Sequence, residues 1–186
     1  MKPHRILIAT PMMDKVPVPF FLSMMSLQTE GYPCQMGVEQ NSLVYEARNK
    51  LVLQAVEKHC DWIMWFDSDM VFAPDTMLRL IRRAEEGYDM ITGLYFARNL
   101  PTKPIIAKKL IWDRDEETGE VTHGAELYYD YPRDSFFEVE ACGFGCVLTR
   151  TSMILEASER YVQSPFDPLP SLRRSPRPGP RSVSLR

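Results

Sequence analysis

Apolar runs begin near residues 5, 32, 61 and 88, a recurrence of about 28 residues, with helix-patterned segments between them. No other feature constrains the fold as strongly. A strand, a crossover helix and their two connections occupy about 30 residues, so the recurrence predicts successive βαβ units. Arg5–Thr10, stopped by Pro11, and Asp61–Phe66 are continuous apolar runs, as strands buried on both faces are. Tyr32–Val38 and Tyr88–Leu94 are the weaker strand candidates of the four.

The intervening segments carry helix signals. Residues 19–30 are helical in pattern, with Gly31 as the C-terminal stop. Asn41-Ser42 can cap a long helix whose Val44, Ala47, Leu51, Ala55 and His59 fall on one face. Pro74 suits the first turn of a third helix, Asp75 its positive end, and Gly87 its stop. Met77, Leu78, Leu80, Ile81 and Ala84 form that helix's apolar stripe.

Beyond residue 100 the pattern changes. Ile105–Trp112 and Phe136–Leu148 have strand character, the polar stretch Asp113–Glu120 holds a turn at Thr118-Gly119, and Thr151–Val162 is helical. The expected fold class is therefore α/β, a mainly parallel sheet with flanking helices followed by a mixed, more antiparallel C-terminal half. Residues 1–163 are expected to form one domain. Residues 164–186 are rich in Pro, Arg and Ser without apolar period, the composition of a disordered tail.

Charge narrows the partners. The net charge of −3 conceals five arginines and no acid in residues 171–186, which leaves 17 Lys and Arg against 25 Asp and Glu, about −8, in the first 170. An acidic body argues against nucleic acid, whose phosphates are bound through Lys and Arg. It favours a neutral ligand or one bridged by a cation. Cys34, Cys60, Cys142 and Cys146 form no CxxC pair, so buried reduced thiols and a cytoplasmic setting are expected. The run Ile6–Ala9 is too short for a secretory signal core, and Phe20–Leu27 is too short to span a bilayer. His4, His59 and His123 are poor metal candidates: His59 falls at the end of a helix, where it meets the last carbonyls, and His123 lies in the polar region after the expected turn.

In open parallel sheets, ligands bind beyond the carboxyl ends of the strands. Those ends present Thr10-Pro11, Asp67-Ser68-Asp69 and Gly93-Leu94-Tyr95. Two carboxylates directly after a buried strand are costly without a partner. Such hard oxygen donors suit Mg²⁺ or Mn²⁺ shared with substrate phosphates. A polar loop capping the Pro74 helix is the plainer explanation. Asp67–Val71 also matches the D-x-D-x-V of haloacid-dehalogenase-type phosphatases, in which the first Asp is a nucleophile. That motif normally follows the first strand of its fold, whereas two βα units precede it here, and no later pair of acids follows an apolar strand.

Five blocks, in order, carry a resemblance. Ile6–Pro11, Tyr45–Asn49, Trp62–Val71, Ile91–Tyr95 and Val139–Val147 resemble the successive motifs of family-2-like GT-A glycosyltransferases, over roughly residues 5–155. The resemblance implies transfer of a sugar from a nucleotide-sugar donor, UDP- or GDP-linked, to an acceptor, assisted by Mn²⁺ or Mg²⁺. It implies that Thr10 and Pro11 line the nucleotide pocket, with Arg48, Asn49 and Ser68 close to the nucleotide. Asp67 would meet the ribose side and share the metal with Asp69. Gly143 to Gly145 would shape the floor under the donor sugar. The plainer alternatives are a solvated Arg48, and a bulge or close-packing site at the two glycines.

The resemblance breaks off near residue 165. Related enzymes continue with an acidic motif, often Glu-Asp, whose carboxylate deprotonates the acceptor, and some complete the metal site with a later His. This sequence has Leu169-Pro-Ser-Leu-Arg-Arg174 there, and no acid follows Asp167. The composition shift is what an altered reading frame or a truncation near residues 165–170 produces. The alternative function is then a nucleotide-sugar-binding remnant without catalytic activity.

Overall fold

The computed structural model describes residues 3–114, 121–161 and 165–166, with backbone alone for 113–114, 121–123 and 161. Eight strands and four helices follow one another along the described chain. They are β1 (Ile6–Met12), α1 (Val18–Met25), β2 (Cys34–Gln40), α2 (Val44–Glu57), β3 (Trp62–Phe66), α3 (Thr76–Ala84), β4 (Met90–Thr92), β5 (Ile106–Arg114), β6 (Val121–Leu127), β7 (Ala141–Cys142), β8 (Cys146–Arg150) and α4 (Thr151–Tyr161).

The main sheet has the order β2-β1-β3-β8-β4. β1 pairs in parallel with β2 and β3, whereas β8 runs antiparallel to both of its neighbours, β3 and β4. The βαβ reading thus holds for the first three strands. The fourth shares their direction but is separated from β3 by β8, a strand from the far end of the sequence. A second sheet, β6-β5-β7, is antiparallel throughout and supplies the mixed second half.

Alternation along the central strands sorts the core into two layers, because successive side chains of a strand point to opposite faces. Ile6 and Ile8 of β1 join Trp62, Met64 and Phe66 of β3 against Met77, Leu80 and Ile81 of α3 and Phe20 of α1. Leu7 and Ala9 join Ile63 and Trp65 against Leu51, Val52 and Ala55 of α2 and Ile154 of α4. Ile6–Ala9 of β1 and the whole of β3 are therefore apolar because both faces are covered. Each fully buried Ile, Leu or Phe contributes about 1.5–3 kcal/mol relative to exposure. Trp65 also donates its indole N–H to Thr149 Oγ1 at 2.8 Å, joining β3 to β8 inside the core.

Several local expectations are corrected. β1 continues through Pro11 to Met12, since β3 accompanies it only as far as Ala9 and a proline is tolerated where one side is unpaired. α1 ends at Met25 rather than at residue 30, with Ser26 as its C-cap, and Gly31 takes its left-handed φ of 85° in the turn beyond. α2 is preceded by Leu43 without a side-chain cap; Asn41 instead adopts a positive φ, and Val44 is exposed. The expected strand Phe136–Leu148 divides into β7 and β8 around Gly143–Gly145. β6, Val121–Leu127, is a strand that the sequence did not indicate, and it pairs antiparallel with β5. The turn at Thr118-Gly119 lies outside the described residues. Of the expected tail only residues 165–166 are described, and Phe166 packs on the Trp65 layer.

Candidate functional site

Three segments converge at the carboxyl end of β3. Asp67 continues the alternation of Ile63 and Trp65, so its side chain falls on the face covered by α2. β8 runs antiparallel to β3, and its N-terminal end therefore brings Gly143–Gly145 to the same place: the Asp67 N–H donates to the Gly145 carbonyl at 3.0 Å. Arg48, on the buried side of α2, donates from Nη2 to Asp67 Oδ1 at 3.0 Å.

The Arg48 guanidinium lies 5.3 Å from the ring centre of Phe144 and 5.9 Å from that of Phe166, within cation–π range of both. Phe166 is held there by its own N–H, which donates to Asn49 Oδ1 at 2.9 Å, and by edge contacts with Trp65 and Phe144. Burial lifts the Asp67 carboxyl above the ordinary carboxylate range. The charge and hydrogen bond of Arg48 pull against that, Asp69 adds a smaller push upward, and the net direction is up.

Asp69, two residues on, is half exposed and pairs with Arg98. The two carboxylates open on two hollows. One, of about 810 Å³, is bounded by Asp67, Asp69, Leu94, Tyr95, Arg98 and Ile105. The other, of about 200 Å³, lies against Pro11, Ser42, Val44, Asp67, Ser68 and Asp69. Asp67-Ser68-Asp69 is thus the partition between them.

Of the residues expected at the site, Pro11, Ser68, Asp67 and Asp69 face these hollows. Thr10 does not: it is wholly buried, and its Oγ1 has no hydrogen-bond partner among the described residues. Arg48 is neither solvated nor facing open space, because Asp67 and the two rings enclose it. Asn49 faces Phe166. Gly143 and Gly145 are close-packing positions. A Cβ on Gly143 would come within 2.1 Å of Tyr95 Oη, and one on Gly145 within 2.9 Å of Tyr95 Cζ. Tyr95 Oη accepts the Gly145 N–H at 3.0 Å, so the glycines seat Tyr95 in the wall of the larger hollow. Arg98 and Phe166 carry no sequence signal of a role, whereas Tyr95 at a strand's carboxyl end and Phe144 between the two glycines stood where one could be sought.

Two carboxylates with hard oxygen donors at the edge of a hollow fit a Mg²⁺ or Mn²⁺ that takes its other ligands from phosphate and water. No group of three or more His, Cys, Asp or Glu able to enclose a metal occurs among the described residues. All four cysteines are free thiols, and no described helix is long and apolar enough to cross a membrane.

A mixed sheet flanked by helices, with an acidic motif at the carboxyl end of a central strand, is the architecture of a GT-A fold. Residues 38–153 match the family described as glycosyl transferase family 2, and the chain belongs to that family. Membership favours the transferase reading of Asp67–Val71 over the phosphatase one. In fold the chain is similar to the crystal structure of A197 from STIV, with a TM-score of 0.56 and 20% identity over 82% of this chain and 67% of that one. No curated protein matches the sequence.

Proposed function

We propose that the chain transfers a sugar from a UDP- or GDP-linked donor to an acceptor, with Asp67 and Asp69 sharing a Mg²⁺ or Mn²⁺ with the donor's diphosphate. One observation carries this: both carboxylates of Asp67-Ser68-Asp69 open on hollows beyond the carboxyl end of a central strand. A cation held there by Asp67 and Asp69 would stabilise negative charge on a departing nucleoside diphosphate. Arg48 holds the Asp67 carboxylate through Oδ1. Asp69 supplies the more exposed carboxylate. Pro11 and Ser68 bound the smaller hollow, where the nucleoside fits, and Tyr95 walls the larger, where the sugar fits.

The second reading is donor binding without turnover, for which the same two hollows suffice. Loss of a general base costs about 10²–10⁴-fold in rate while donor binding persists. Calorimetry with UDP- and GDP-sugars, with and without Mn²⁺, tests both. Binding that requires Mn²⁺ and disappears in Asp69→Ala is expected, and release of free nucleotide separates enzyme from binder. Metal-independent binding, or none, would sink both readings.

A further inference from the structure

Arg98 stands on an arm that leans over the acidic motif. After β4 the chain turns back on itself: the Ala97 N–H donates to the Lys103 carbonyl at 2.8 Å, the Ile105 N–H to the Tyr95 carbonyl at 3.0 Å, and Phe96 bridges Pro104. This short antiparallel arm walls the larger hollow and presents Arg98 to Asp69. Its base is anchored by Tyr95 on the two glycines, whereas its tip is exposed, with Leu100 90% accessible.

The charges at the site balance. Asp67 and Asp69 are each matched by one guanidinium, from Arg48 and Arg98 respectively. The two pairs differ in kind. Arg48 is enclosed and 16% exposed, while Arg98 is 69% exposed and tethered only through the arm. An exposed ion pair of the second sort is worth about 1 kcal/mol or less and is readily exchanged. A divalent cation on Asp69 competes with Arg98 for that carboxylate. Once it binds, the four side chains and the cation together carry two net positive charges, the complement of a dinegative sugar-diphosphate diester. The displaced guanidinium, still held at the wall of the hollow, then faces phosphate oxygens, for which its forked donors are suited.

We infer that Arg98 is an exchangeable ligand of the site: it covers Asp69 in the empty protein and moves to the donor's diphosphate when a divalent cation takes its place. The inference rests on the nucleotide-sugar reading above. It makes cation and nucleotide binding mutually reinforcing, since each removes a cost of binding the other.

Calorimetric titration of the wild-type protein, Arg98→Ala and Arg98→Lys with Mn²⁺ alone, and with UDP and GDP at fixed Mn²⁺, tests it. Because Arg98 is exposed, an unchanged melting temperature is expected for both variants. Arg98→Ala should bind Mn²⁺ alone more tightly, about two- to fivefold, and the nucleotide with Mn²⁺ more weakly, on the order of tenfold. Arg98→Lys should fall between the two in nucleotide affinity. Opposite signs in the two titrations are the signature. Unchanged nucleotide affinity in Arg98→Ala overturns the phosphate role, and unchanged or weaker Mn²⁺ binding overturns the exchange. Failure of the wild-type protein to bind UDP or GDP with Mn²⁺ overturns the underlying nucleotide reading as well, which a failure confined to the variants does not.

Discussion

Arg48 and Asp67 meet at 3.0 Å beneath the rings of Phe144 and Phe166, and α2 is thereby tied to the end of β3 at the point where the acidic motif begins. The pair is partly buried on both sides, so each charge depends on the other. Arg48→Ala leaves Asp67 without its cation and should lower stability by about 1–3 kcal/mol. Arg48→Lys should recover only part of this, because an ammonium lacks the planar, forked donors of the guanidinium. Chemical denaturation of both variants checks the ranking.

Gly143 leaves room for Tyr95 and for little else. Gly143→Ala places a methyl 2.1 Å from Tyr95 Oη and 2.6 Å from Ile105 Cγ2 in the unrelaxed structure. The expected cost is about 1–3 kcal/mol, the usual penalty of overpacking. Adding Tyr95→Phe removes the first clash but not the second, so the double variant should be more stable than the sum of the single changes implies. A double-mutant cycle on unfolding free energies measures that coupling.

Thr149→Val conserves shape and removes the acceptor of the Trp65 indole N–H in the core. A buried donor left without a partner costs about 1–3 kcal/mol. The melting temperature should fall accordingly. Near-ultraviolet circular dichroism of the tryptophan band should change as well.

Burial pushes the Cys34 and Cys146 thiols up to about 11 from an ordinary value of 9.0. A pKa raised in the folded state means that folding favours the neutral thiol. The corresponding stability is complete below pH 9 and is lost as pH rises from about 9 to 11. Unfolding free energies should therefore decline over that window, and less steeply in Cys146→Ala. At pH 8 both thiols should react slowly with an aromatic disulfide reagent in the native protein and rapidly after denaturation.

Much of the central architecture was legible from the residue order. β1 and β3 announce themselves because strands covered on both faces must be apolar at every position, and that requirement is local. The same holds for the stripe of α3 and for the left-handed turn at Gly87. Asp67-Ser68-Asp69 stood out for the reverse reason: two charges after such a run need an external partner. β6 was missed because its pairing with β5 rests on backbone hydrogen bonds, which leave no composition signal.

The sequence by itself determined which segments become the inner strands and where the acidic motif falls relative to them, since both follow from local burial. Tertiary structure alone decided that β8 enters between β3 and β4, and that insertion carries Gly143 and Gly145 to Asp67. It also decided that Arg48 takes Asp67, that Phe166 covers it, and that Arg98 reaches Asp69. A charge or a ring in a sequence has no partner until the fold sets distances, and electrostatic and packing energies depend on those distances.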